Sequence, residues 1–85
     1  MATWRSDIDA LMFEADDQLG LCMVHRHAFR TLLRSVPTPD ECVAYFNSHQ
    51  SAFQAAAAAK VGRKKLAAGV NFHLTSRDVA RELQK

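Results

Sequence analysis

"IDALMFEADDQLGLCMVHR", residues 8–26, holds two short apolar runs separated by Ala15, Asp16, Asp17 and Gln18, with Gly20 just beyond. A polar turn between two apolar runs is the sequence mark of a β-hairpin. Successive side chains of a strand point to opposite faces, so Leu11 and Phe13 share one face while Ala10 and Met12 share the other. In the second run Leu21 and Met23 lie opposite Cys22 and Val24. Both faces carry apolar groups, so the alternation sets no register, and a helical reading of Ile8 to Ala15 also fits the pattern. Read as a hairpin, the stretch puts strands into a chain whose next segments are helical.

From His27 onward the period changes. Phe29, Leu32, Leu33 and Val36 fall at i, i+3, i+4 and i+7, one face of an amphipathic helix that leaves Arg30 and Arg34 toward water. Pro37 and Pro39 disfavour helical geometry at the residues before them, so this helix stops ahead of "VPTPD". The next helix has a well-defined start: Thr38 caps, Pro39 takes the first helical position, and Asp40 complements the dipole. Glu41, at the third position, completes a capping box. Beyond it Cys42, Val43, Phe46, Phe53, Ala56 and Ala57 recur at helical spacing, with Tyr45 off the stripe.

Five consecutive alanines at 55–59 extend this helix, since alanine has the best helix propensity and a tether would be rich in Gly and Ser. Their small side chains invite close approach of the hairpin or the first helix. A helix from Pro39 to Lys65 would be about 40 Å long at 1.5 Å per residue, against roughly 30 Å for a compact domain of this size. Its end therefore projects, or it breaks near Gly62. Past Gly69, Val70, Phe72 and Leu74 alternate with Asn71, His73 and Thr75, a half-buried strand that joins the hairpin sheet. Thr75 or Ser76 then caps a final short helix carrying Val79 and Leu83, with Asp78 near its positive end. The expected fold is α+β, a single domain over residues 1–85: a small antiparallel sheet of about three strands packed on two main helices, in the order β-β-α-α-β-α.

That order resembles the small bacterial family known as domain of unknown function 1488. The likeness lies in an early Trp4, strands like "LMFEA" and "LCMVHR", a helix like "HAFRTLL", the long helix with "AYFNSHQSAFQAAAAAK", and a terminal "GVNFHLTSRDV". The extension "ARELQK" goes beyond a minimal member. The resemblance implies an α+β fold and brings no catalytic residues with it.

Composition bounds the functional classes. With 85 residues, 48% hydrophobic and 24% charged, the chain matches an ordinary globular domain. A net charge of +2 is too small for a strong general field on nucleic acid or membrane, so any basic surface must be local. No segment approaches a membrane span, and Met1 to Asp9 lacks the apolar run of a signal peptide, so a cytoplasmic location with no membrane partner is expected.

Three readings of function follow. The favoured one is a non-enzymatic protein-interaction or regulatory accessory module. Its partner is a second copy or an unidentified protein, on an apolar patch drawn from Met12, Cys22, Val24 or Tyr45. The second is nucleic-acid binding through Lys60, Arg63, Lys64 and Lys65 at the end of the long helix, with Arg26, Arg30 and Arg34 as extensions. The third is a metal site on His25 and His27, whose imidazoles would share one face of an extended strand. Two ligands make no zinc site, and Cys42 sits beside Asp40 and Glu41, which oppose thiolate formation. No catalytic residue and no cofactor is expected. Asp16 and Asp17 read as turn residues, and the isolated glycines form no phosphate loop.

Overall fold

The computed structural model describes residues 2–18, 20–67 and 69–85. Its sheet is built on the hairpin: β2 (Ala10–Ala15) and β3 (Gly20–His25) run antiparallel around a tight turn at Asp16–Gln18. Asp17 occupies the left-handed region at φ 61°, a conformation Asp tolerates better than most residues. Leu11 stands opposite Val24 and Phe13 opposite Cys22, so the four share one face and all are buried. A slip by one residue would turn that face out to water, and the register is fixed accordingly.

Two strands flank the hairpin. β1 (Ala2–Arg5) pairs antiparallel with β2, placing Trp4 beside Leu11. β4 (Phe72–Leu74) pairs with β3 in parallel, Cys22 beside Phe72 and Val24 beside Leu74. The sheet is thus four-stranded, mixed, in the order β1-β2-β3-β4, where three antiparallel strands were expected. Trp4 and its neighbours show too little period-2 pattern to announce a strand. The parallel pairing has a geometric cause: the residues after the helical crossover return beside the start of β3, where the Val70 carbonyl lies against Gly20. β4 then runs the way β3 runs. Val70, expected in the strand, lies ahead of it and is 45% exposed.

The helices cover one face. α1 (Arg26–Leu33) follows β3 at once and buries Ala28 and Phe29. It ends when Arg34 turns into the left-handed region, φ 60°. Val36 therefore falls off the expected stripe and is 70% exposed. α2 (Pro39–Ser48) has the anticipated capping box: the Glu41 amide donates to Thr38 Oγ1 at 3.2 Å, and the Thr38 amide donates to Glu41 Oε1 at 2.8 Å. α3 (Gln50–Lys64) continues beyond a single non-helical residue, His49, at φ −130°. The expected long helix is thus two helices, and the break lies at His49, while Gly62 sits inside α3.

The physics of the break is local. The His49 amide donates to the Phe46 carbonyl at 3.0 Å, which deprives the Tyr45 carbonyl of its regular partner four residues on. His49 Nδ1 replaces it, 2.9 Å from that carbonyl, and the imidazole stacks on the Tyr45 ring at 4.3 Å. A carbonyl only accepts, so the proton of this bond resides on Nδ1.

Four phenylalanines join the layers. Phe13 of β2 lies 4.9 Å from Phe46 of α2, Phe46 lies 5.1 Å from Phe53 of α3, and Phe53 lies 5.8 Å from Phe29 of α1. Ala56 and Ala57 are buried where α3 crosses the sheet and meets α4 (Ser76–Leu83), whereas Ala55, Ala58 and Ala59 face out. The molecule measures 33 × 30 × 18 Å. Its thin dimension accommodates two layers, and the second face of the sheet, with Thr3, Glu14, Leu21 and His73, is open to solvent.

Candidate functional site

The basic end of α3 is built into the fold on one side and exposed on the other. Lys60 turns inward and donates to the His73 carbonyl on the edge of β4 at 2.6 Å and to Asp78 Oδ2 at 3.1 Å. Arg63 donates to the other oxygen of Asp78 at 3.0 Å. Asp78 also completes the capping box of α4, accepting from the Thr75 amide at 2.9 Å while its own amide donates to Thr75 Oγ1 at 3.2 Å. Burial pushes the Asp78 carboxyl up, but the bonds from Thr75 and Lys60 outweigh it and hold it below the usual carboxylate range. Two of the four cations are thus engaged in fastening α3 to β4 and α4. Lys64 and Lys65 are exposed and make no ion pair among the described residues.

The histidines are distributed differently from the sequence expectation. His25 closes β3 and His27 lies in the first turn of α1, so they share no strand face. His25 instead stacks on His73 of β4, ring centroids 4.9 Å apart and 10° from parallel, on the open side of the sheet. Burial first, then the charges of His25 and Lys60, lower the His73 pKa. Among the described residues no three His, Cys, Asp or Glu side chains converge as metal ligands would. Both thiols are buried: desolvation pushes Cys22 up to about 12 and Cys42 up to about 11, so each stays protonated and a poor nucleophile. Cys22 and Val24, expected in an exposed apolar patch, are core residues.

A concave surface lies elsewhere, between α1 and α4. It is an open cleft of about 430 Å³ with a floor of Leu32, Tyr45, Ala80 and Leu83. Leu83 is 37% exposed, and Leu32, Tyr45 and Ala80 are half-buried. Arg34 borders the cleft at the end of α1 and Arg77 at the start of α4, joined by Thr31 and Ser76. On α4, Ser76, Arg77, Ala80, Leu83 and Gln84 form this face, while Asp78, Val79 and Glu82 turn toward the protein. Tyr45 is held edge-on by Phe29 at 6.3 Å and Phe53 at 6.2 Å, so its ring is a rigid part of the floor.

The electrostatics of the cleft are one-sided. α1 contains no carboxylate. α4 contains two: Asp78 is bound by Lys60 and Arg63, and Glu82 by Lys85 at 3.2 Å. Of the eleven Lys and Arg residues, Arg5, Arg26, Lys60, Arg63 and Lys85 are paired. Arg30, Arg34, Arg77 and Arg81, all on α1 and α4 or at their ends, form no ion pair among the described residues. No family model, curated protein or solved structure matches the chain.

In the sequence Leu83 stands out only as an apolar residue of the last helix, and Arg77 and Ala80 do not stand out. Two signals nonetheless pointed to them. Ser76, Ala80 and Leu83 make a second small-to-apolar line on α4 beside the Val79 stripe, and "RHAFRTLLR", residues 26–34, is cationic without a single acid.

Proposed function

We propose that the protein is a non-enzymatic interaction or regulatory accessory module that binds a protein partner in the cleft between α1 and α4. One observation carries the reading: an apolar floor with an exposed Leu83 lies between unpaired arginines, in a molecule whose thiols are buried and protonated. Apolar anchors ringed by charge are what a protein partner uses for affinity and for orientation respectively. Kinship with the domain of unknown function 1488 family, on the short motifs quoted above, and a cytoplasmic location belong to the same proposal. The second is supported by two free thiols. No helix among the described residues is long and apolar enough to cross a membrane.

A second reading, nucleic-acid binding, draws support from the unpaired Lys64 and Lys65 together with the four arginines. Capture from a nuclease-treated lysate on immobilised wild-type protein and on Leu83→Asp distinguishes the two. The interaction reading expects a partner that survives nuclease and is lost with Leu83→Asp. Retention that vanishes with nuclease, or that is indifferent to Leu83, overturns it.

A further inference from the structure

We infer that the partner element seated between α1 and α4 is an acidic amphipathic α-helix. The inference rests on the interaction reading above and adds the secondary structure and charge of what binds.

The charge follows from the cleft's surroundings. Arg34 and Arg77 line it, and Arg81 lies one turn beyond Arg77 on α4. Among the described residues no carboxylate lines the cleft, and both acids of α4 are engaged on its other face by Lys60, Arg63 and Lys85. A basic partner would meet uncompensated repulsion from all three arginines, whereas Glu or Asp pairs with guanidinium groups in a bidentate manner.

The secondary structure follows from the backbone. The cleft is walled by two helices whose main-chain groups are internally bonded, and neither sheet edge enters it. An extended segment laid on Leu32, Ala80 and Leu83 would find no ladder for its own amides and carbonyls, and leaving those groups dry is costly. A helix arrives with its backbone satisfied and offers side chains at i, i+4 and i+7 to a groove between helices. Ala80 leaves room for close approach at the centre, and Tyr45 supplies a rigid aromatic surface. Arg77 and Leu83 are six residues apart on α4, about 9 Å along its axis, so about two turns of the incoming helix span the site. Among the described residues no helix bears an exposed apolar stripe flanked by acids, so the occupant is a different protein.

The test uses the full chain and a fluorescent, helix-forming peptide of about 14 residues with Leu at i, i+4 and i+7 flanked by Glu. Its controls are the same peptide with Lys for Glu and a single-stranded oligonucleotide of equal charge. The Glu peptide is expected to bind saturably, with affinity falling about fivefold or more when salt rises from roughly 50 to 300 mM, because exposed charges are screened. Arg34→Glu with Arg77→Glu should weaken it about tenfold or more, and Leu83→Asp likewise. Lys64→Glu with Lys65→Glu, away from the cleft, should leave it unchanged. Circular dichroism establishes that each variant is folded.

Absence of saturable binding by the Glu peptide overturns the inference, as does equal binding of the Lys peptide. Loss with the Lys64 and Lys65 pair, or competition by the oligonucleotide at equal potency, overturns it in favour of nucleic acid. If the lysate partner still depends on Leu83 while the Glu peptide fails, the interaction reading stands and the acidic helix alone is discarded.

Discussion

Gly20 and Gly62 show how the same residue type has opposite consequences in two settings. Gly20 sits at φ 123°, and a Cβ there would run into the Val70 carbonyl at the junction of β3 with the returning chain. Gly20→Ala is expected to lower stability by about 2 kcal/mol or more, from the unfavourable backbone region and the displaced carbonyl together. Gly62 lies within α3 with open space around its missing Cβ. Gly62→Ala should raise stability by about 0.5–1 kcal/mol through helix propensity. Urea unfolding of the two variants checks both signs. Asp78 is the third decisive residue. Its folded carboxyl titrates below the ordinary value of about 3.9, so its contribution is complete above that range and disappears as pH falls through the folded value. Asp78→Ala, which removes a cap and leaves Lys60 without its carboxylate, should cost roughly 2–4 kcal/mol at neutral pH. Relative to wild type, its urea midpoint should change less between pH 5 and pH 3.

Among the elements, the bend between α2 and α3 is the most instructive. His49→Ala removes the imidazole that donates to the Tyr45 carbonyl and stacks on its ring, and should cost about 1–2 kcal/mol, measured by thermal or urea unfolding. The position of this bend was not readable in "AYFNSHQSAF" because the apolar stripe of Cys42, Phe46, Phe53 and Ala57 passes through it almost in phase. What the sequence did disclose was that 27 helical residues in so small a body must either project or break. Gly62 drew the break by composition, but the surrounding packing favoured a side chain able to satisfy a released carbonyl. Caps were more legible, since their partners lie within three residues: the box of Thr38 with Glu41 forms as expected, and Thr75, one of the two candidate caps of the last helix, forms a second box with Asp78. β1 and the parallel setting of β4 were not, because each is determined by a partner strand and by the path of the helices. The cationic cleft was legible only in fragments, for the same reason. Arg34 and Arg77 are remote in sequence, and the acids that would have neutralised such a surface are removed from it by contacts that only the folded chain makes.

At the scale of the whole molecule, one layer of helices on one sheet leaves two unlike surfaces, an open sheet face with the stacked His25 and His73 and a helical face with the arginine-bordered cleft. Protonation of His73 is disfavoured in the fold, since desolvation and then the charges of His25 and Lys60 lower its pKa. The unfolded chain therefore takes up protons more readily as pH falls below the ordinary histidine value of about 6.5, and stability should decline there. His73→Gln is expected to abolish that component, leaving a flatter dependence of melting temperature on pH between about 7 and 5. Binding in the cleft should not follow this titration, because the pair occupies the other side of the sheet. The parallel pairing of β3 with β4 also has a kinetic meaning. β2 and β3 can zip together across a short turn, but β4 has three residues of ladder and depends on a loop closed through α1, α2 and α3. Lys60, by bonding to both His73 and Asp78, acts as the latch of that late-assembling corner. In native-state hydrogen exchange, β4 and α4 should open as one unit at lower free energy than β2 and β3, and Lys60→Met should speed exchange in that unit selectively.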